Sequence, residues 1–373
     1  MDVTADQSRS VRHVGLDVTR AIAIFGVVVM NYHAYLNKSM AFFPESPSLA
    51  ERIFNPLTGI LSTRFAATFV LVAGIGTSLF LRRTMSSRNL DSTVQVRVQL
   101  ARRGVFLFVL GSGLQWIWPG TIIFYYGAYF MIGGLIALWS TRRLIALSIG
   151  SVVVSSSLAA WRAFEFVNGN PTSWLSPSPN TPRNLLIRVF VDYTHPVFPW
   201  ITFFCIGIVI GRSYEAFHVS RLQIAKWAGA ALLVVYVIRT YTYPEFPITT
   251  TDVVLRRILS TNNHEHGLLH VASALATAVL ALCVISWLTD KKTESSFVNH
   301  LARAGRMSLS IYVIHVLVFN FFVNWMHWIR PTGLDTALLF SVGFYAVIIP
   351  AAAWWNKRCG AGPLERMYRM FGG

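Results

Sequence analysis

Apolar runs recur along most of the chain, separated by short polar connections. A helix needs about 20 apolar residues to cross a bilayer, and ten stretches approach that length: 14–36, 57–81, 103–118, 121–140, 143–163, 196–212, 224–242, 267–288, 307–328 and 336–355. The third and sixth are short. The pattern predicts an all-α, polytopic membrane helix bundle of about ten transmembrane helices. The first run is interrupted in an ordered way, with Asp17 and Arg20 near its start and Asn31, Tyr32 and His33 near its end. At about 100° per residue, the step from Arg20 to Asn31 returns to within roughly 20° of the same helix face, about 16 Å along the axis. Asp17 stands three residues before Arg20, the spacing of a helical ion pair. Such groups are costly inside a span, which argues against a simple anchor.

The connections differ in charge. With the N-terminus in the cytoplasm, the cytoplasmic connections hold Arg82, Arg83, Arg88, Arg97, Arg102 and Arg103, then Arg142 and Arg143. Arg212, Arg221, Lys226, Lys291, Lys292, Arg303 and Arg306 follow, with Lys357, Arg358, Arg366 and Arg369 in the tail. The opposite connections hold only Lys38, Arg52, Arg183, Arg188, Arg256, Arg257 and Arg330. Positive residues stay on the cytoplasmic side, so both termini are expected there. Pro, Trp and Tyr gather on the other side, around Pro44 to Pro56, Trp118-Pro119-Gly120, Pro171 to Pro182 and Pro244 to Pro247, as extracytoplasmic loops do.

Composition agrees. Of 373 residues, 54% are hydrophobic and 13% charged, with a mean hydropathy of +0.51, far from the soluble balance. The net charge of +16 is spread between apolar spans instead of gathered on a polar face, which excludes nucleic acid as the partner. The first run contains charge and is followed by large residues, so it reads as a retained signal anchor. Cys205, Cys283 and Cys359 have no CxxC spacing and imply neither a disulfide frame nor a metal site. No connection is long enough for a second domain, and residues 1–373 read as one unit in a cell membrane.

Three short motifs carry a resemblance: Leu16-Asp17-x-x-Arg20-x-x-Ala23-x-x-Gly26 ending in Asn31; Gly305-Arg306-Met307-Ser308-Leu309-Ser310-x-Tyr312; and Gly362-Pro363-Leu364-Glu365. Together they resemble the heparan-α-glucosaminide N-acetyltransferase-like transmembrane acyltransferases, and particularly their YeiB-like bacterial branch. The resemblance implies an acyl-CoA co-substrate, acetyl-CoA first among them, and no metal. It also implies a sugar or related envelope acceptor, a bacterial plasma membrane and a homodimer as one possible state. It puts the position of Asn31 in the active site and the family's catalytic histidine further along the following loop, where His33 is this chain's nearest histidine.

Acyl transfer needs a base for the attacking hydroxyl or amine and donors for the developing oxyanion. His33 is a candidate base, or an interfacial residue at a helix end. Asn31 can orient the acyl carbonyl or the acceptor. Arg64, expected about two turns into the second span, would hold an anion or polarise a carbonyl, or else snorkel to the surface. Arg20 suits phosphates of CoA or an anionic lipid, and Asp17 either joins it at the donor or neutralises it. Further candidates for substrate binding stand at outer helix ends: His195, with Asp192 near it, and His266, with His264, Glu265 and His270. His266 and His270 have the spacing of a shared metal on one helix face, or line an outer cavity. His315, inside the ninth span, reads as a buried interhelical hydrogen bond or as a cavity residue. Gly74, Gly76 and the Gly111-Ser112-Gly113 run read as close helix packing.

Two functions from different classes compete. One is a polytopic acyltransferase carrying an acyl group from cytoplasmic acyl-CoA to an extracytoplasmic glycan or glycolipid, directly or through an acyl-imidazole. The other is a transporter or flippase of a lipid-linked or anionic molecule, for which the expected pair of interrupted helices is not evident. A non-catalytic envelope assembly factor is a third reading.

Overall fold

The computed structural model describes residues 13–36, 48–57, 59–85, 90–170, 172–175, 182–242, 249–261, 266–330 and 333–373, with backbone alone at 90–92 and 182. Lys38, Asn263, His264, Glu265, Pro244 to Pro247 and most of Pro171 to Pro182 therefore lie outside the described residues. The chain is all-α, and each of the ten apolar runs finds a helix.

The helices, in order, are α1 (Val14–Leu36), α2 (Leu49–Phe54), α3 (Arg64–Thr84), α4 (Leu90–Leu114) and α5 (Ile122–Ile136). Then come α6 (Thr141–Val167), α7 (Pro182–Phe190), α8 (Val197–Arg212), α9 (Tyr214–Thr242) and α10 (Thr250–Leu259). The last five are α11 (Leu268–Lys291), α12 (Ser296–Gly305), α13 (Ser308–Phe319), α14 (Leu334–Cys359) and α15 (Pro363–Gly372). Seven are long and apolar enough to cross a membrane, counting α13 with its extension to Trp325, while α5 and α8 are shorter apolar helices. The third run lies in the second half of α4, whose first half carries charge. The ninth run is α-helical only to Phe319 and widens to a π-helix over Asn320–Trp325.

α1 is the centre. It packs against α3, α11, α12, α13 and α14, and its small and branched residues, such as Ala23, Ile24, Val28 and Val29, are fully buried. Lipid tails are as apolar as leucine, so contact quality, not exclusion from water, holds such helices together. Glycine provides it where α3 meets α8. A Cβ at Gly74 would stand 2.1 Å from the Phe204 carbonyl oxygen, and one at Gly207 2.1 Å from that of Leu71. Gly111 likewise lets α4 lie on the start of α5, whereas Gly113 faces open space. The rim is different in kind. α6 and α9 expose bulky apolar groups such as Ile149, Val153, Trp227 and Leu233, as helices bathed in lipid tails do.

The second run starts later than its hydropathy suggests. Residues 59–63 fold back on α2, with Ile60 N donating to Arg52 O and Leu61 N to Ile53 O. α2 opens with a reciprocal Ser48–Glu51 cap. Thr63 then takes a left-handed conformation (φ 61°), which breaks the helical path, so α3 begins at Arg64. Arg64 is thus the first residue of its helix and not two turns inside it.

Candidate functional site

On α1, the Arg20 guanidinium donates to Asp17 Oδ1 at 3.0 Å, the ion pair expected from the spacing. The pair opens on a cavity of about 460 Å³. Four more arginines reach it from other elements: Arg83 at the end of α3, Arg103 on α4, Arg306 just before α13 and Arg369 on α15. Among the described residues that line the cavity, only Asp17 and Glu365 oppose these five cations. α15 closes this end, because Arg103 lies between the Phe80 ring (4.1 Å) and the Tyr368 ring (5.3 Å). Burial pushes the Tyr368 hydroxyl up to about 12, against the neighbouring Arg103, Arg20 and Arg369, so it stays protonated. His13 also lines this end, and burial holds its imidazole below the ordinary range, with Glu215 opposing and His218, Arg83 and Arg82 adding to the shift.

Gly76 lies on α3 beside this site, packed against a side chain of α1. A Cβ there would meet Arg20 Nη2 at 2.8 Å and nothing else within 4 Å. The missing side chain is room for the guanidinium.

The middle of the cavity is apolar, walled by Phe69, Ala73, Leu107, Ile123 and Phe130. Polar groups also line the cavity, among them Thr77, Ser308 and two tyrosines, Tyr126 and Tyr312. The Tyr126 hydroxyl is buried and has no hydrogen-bond partner among the described residues, so a ligand polar group can take it without displacing an internal bond. Tyr312 Oη accepts from Ile122 N at 3.2 Å and from Thr121 Oγ1 at 3.1 Å, and bonds the Asn31 side chain. Asn31 Nδ2 in turn lies 3.2 Å from His315 Nε2, and the other polar neighbour of that ring is the Tyr312 backbone carbonyl. With the amide donating, Nε2 is the lone-pair nitrogen and the ring proton belongs on Nδ1. Beyond this network the interior is aromatic. Tyr32 donates to the His315 carbonyl at 3.1 Å and stacks on Phe340 at 4.5 Å. The Trp118 ring meets His315 edge-on at 5.5 Å.

The structure therefore brings Asp17, Arg20 and Tyr312 to one cavity, with Asn31 and His315 bonded behind Tyr312 and outside the cavity lining. It sets the remaining sequence candidates apart. His33 points away from Asn31, toward α2, with Nδ1 3.4 Å from the Phe54 carbonyl. Arg64 is 4% exposed and fully engaged. It donates to Ser62 O (3.2 Å) and Ser273 Oγ (2.8 Å), lies 3.3 Å from His270 Nδ1 and bonds the Tyr236 hydroxyl. This guanidinium ties α3 to α11 and α9. Asp192 pairs with Arg162 at 2.6 Å, and the His195 ring packs edge-on against Trp200 at 4.4 Å. His266 precedes α11, so the one-face argument for a metal shared with His270 does not apply. Its Nε2 sits 3.1 Å from the Tyr193 carbonyl, and the two rings stand 6.4 Å apart. Among the described residues no group of three or more His, Cys, Asp or Glu gathers as metal ligands would.

Sequence reasoning overlooked Tyr126 and the convergence of Arg83, Arg103 and Arg369. The first has no local signal, sitting in an apolar helix. The others look like ordinary positive-inside residues until the fold collects them.

Comparison with known proteins bears on the same elements. The family described as heparan-alpha-glucosaminide N-acetyltransferase, catalytic, matches residues 12–240, which include Asp17, Arg20, Asn31 and Tyr126. A protein family of unknown function, DUF418, matches residues 213–371, which include Tyr312, His315 and Glu365. None of the curated proteins compared matches the chain. With the first match covering more than half of the chain, this polytopic membrane protein belongs to the heparan-α-glucosaminide N-acetyltransferase-like, YeiB-like superfamily of transmembrane acyltransferases.

Proposed function

We propose that the chain moves an acyl group, acetyl in the first instance, from cytoplasmic acyl-CoA to an extracytoplasmic glycan, glycolipid or related envelope acceptor at a bacterial plasma membrane. One observation carries this reading: a single cavity holds five arginines at one end and reaches Tyr312, with Asn31 and His315 bonded behind it, at the other. Guanidinium forks match phosphate oxygens, and the arginine-rich end is the cytoplasmic one on the positive-inside pattern. The apolar middle suits a pantetheine arm, and the thioester then lies by the hydroxyls of Tyr126 and Tyr312.

The chemistry follows from the donors and the lone pair. Once the Asn31 amide turns from His315 Nε2 to the acyl carbonyl, Nε2 is free to take the proton of the acceptor hydroxyl or amine as that oxygen or nitrogen attacks the thioester carbonyl. The C–S bond breaks, CoA leaves as thiolate, and the imidazolium returns the proton to it. In the two-step version Nε2 itself attacks, and an acyl-imidazole is then taken by the acceptor. Either way the Asn31 amide and the Tyr312 hydroxyl are the donors nearest the developing oxyanion. Membrane lipids surround α6 and α9, and a homodimer is compatible with either route.

The test is binding of acetyl-CoA to purified protein in nanodiscs, with longer acyl-CoAs and free CoA as comparators. Wild type is compared with Arg20→Ala, Asn31→Ala, His33→Ala, Arg64→Ala and His315→Ala. Saturable binding lost in Arg20→Ala and kept in His315→Ala supports the reading. Folded wild type that binds no acyl-CoA moves the assignment to a transporter or flippase.

A further inference from the structure

Glu365 is buried, carried by the C-terminal helix, and unused by the chemistry above. Its contacts are specific. Oε1 accepts from the backbone N–H groups of Leu309 (2.8 Å) and Ser310 (3.0 Å), and Oε2 accepts from the Ser310 hydroxyl. Ser310 Oγ in turn accepts from Leu364 N at 3.2 Å. The first turn of a helix exposes N–H groups that need outside acceptors, and α13 has no side-chain cap of its own, since Met307 precedes it without one. Glu365 and Ser310 thus cap the starts of α13 and α15 reciprocally, as a capping box does within one helix, but across 55 residues.

We infer that Glu365 is a positioning residue, which fixes the register of α13 and so places Tyr312 and His315 at the reacting end of the cavity. The kinetic part of this inference rests on the acyltransferase reading. Tyr312 and His315 follow Ser310 by two and five residues on one rigid helix, so a shift of its first turn moves both. A misplacement of about 1 Å can cost about a hundredfold in rate. Gly362 protects the arrangement: its φ of −61° suits any residue, yet a Cβ there would stand 2.1 Å from Glu365 Oε2 and 2.8 Å from Ser310 Oγ. The same helix brings Tyr368 and Arg369 to the arginine-rich end. One short helix therefore holds both ends of the cavity in relation to each other.

The experiment compares full-length wild type with Glu365→Ala, Glu365→Gln and Gly362→Ala in nanodiscs. Three quantities are read: acetyl-CoA affinity, kcat for CoA release with glucosamine as probe acceptor, and amide hydrogen exchange across 308–319. In Glu365→Ala, exchange of the Leu309 and Ser310 amides is expected to rise at least about tenfold, and kcat per folded protein to fall about 10- to 100-fold, with acetyl-CoA affinity kept or tightened because one carboxylate facing the arginines is gone. Glu365→Gln, whose amide oxygen still accepts both N–H groups, restores most of the protection and rate. Gly362→Ala repeats the loss without removing the carboxylate, and it carries the test if Glu365→Ala does not fold. Wild-type exchange in a folded Glu365→Ala or Gly362→Ala protein overturns the inference, whatever the rate. If wild type neither binds nor turns over acetyl-CoA, the acyltransferase reading fails, and the exchange measurement alone decides for or against the clamp.

Discussion

Asn31 and His315 stand 284 positions apart in the chain, and their side chains meet at 3.2 Å in the middle of the bundle. The amide meets the imidazole lone pair behind Tyr312, which fixes the ring's tautomer and orientation. His33, two residues from Asn31, faces α2 instead.

That contrast yields the first prediction. His315→Gln and Asn31→Ala should each lower kcat for acyl transfer by about 10²- to 10⁴-fold, the range for losing a general base or its partner, with acetyl-CoA affinity retained. His33→Gln should stay within a few-fold of wild type. Steady-state kinetics beside calorimetric donor binding distinguish the two histidines, and a collapse confined to His33→Gln would remove His315 from the mechanism.

Gly76 offers a test of Arg20 that leaves Arg20 in place. In Gly76→Ala the new methyl displaces only the tip of a flexible guanidinium, so thermal stability should be unchanged. Donor affinity should weaken by about three- to tenfold, roughly the worth of one charge-assisted hydrogen bond. Titration with acetyl-CoA at low and high salt checks it, since the part carried by exposed charge also fades with ionic strength.

Tyr126→Phe removes a buried hydroxyl that bonds nothing among the described residues. Stability should hold or rise slightly. Acyl-CoA binding should nonetheless weaken, because the hydroxyl has a thioester or amide to meet. Equal affinity in the two proteins would place the pantetheine arm elsewhere.

Arg64 should behave as a strut. Arg64→Met leaves the Ser273 hydroxyl without its guanidinium donor and unties α3 from α11, and is expected to cost about 2–4 kcal/mol, while donor affinity per folded molecule is unchanged. Unfolding can be followed with a thiol-reactive dye, since Cys205 and Cys283 are buried and Cys359 is exposed.

The fold was largely legible because hydropathy and bilayer thickness dictate it. Each apolar run became a helix, and the Asp17–Arg20 pair followed from helical spacing alone. Arg64 was misplaced by two turns because hydropathy does not register a backbone reversal at Thr63. The pairing of Asn31 with His315 was not legible, since no local pattern records which helices become neighbours. The same holds for the arginines. Arg83, Arg103 and Arg369 obey the positive-inside bias wherever they end up, so their second use emerges only when α3, α4 and α15 close on one space. Glu365 was visible as part of a motif, but its partners lie on another helix.

The aromatic packing behind His315 has one more consequence. Tyr32, Trp118 and Phe319 are almost completely buried, in a body whose other end holds a polar cavity. A catalyst that works through a bilayer carries an electrical hazard, because any continuous wet path conducts protons. Under the proposed transfer across the membrane, these interlocked rings would put an apolar barrier beyond His315 in place of a proton path.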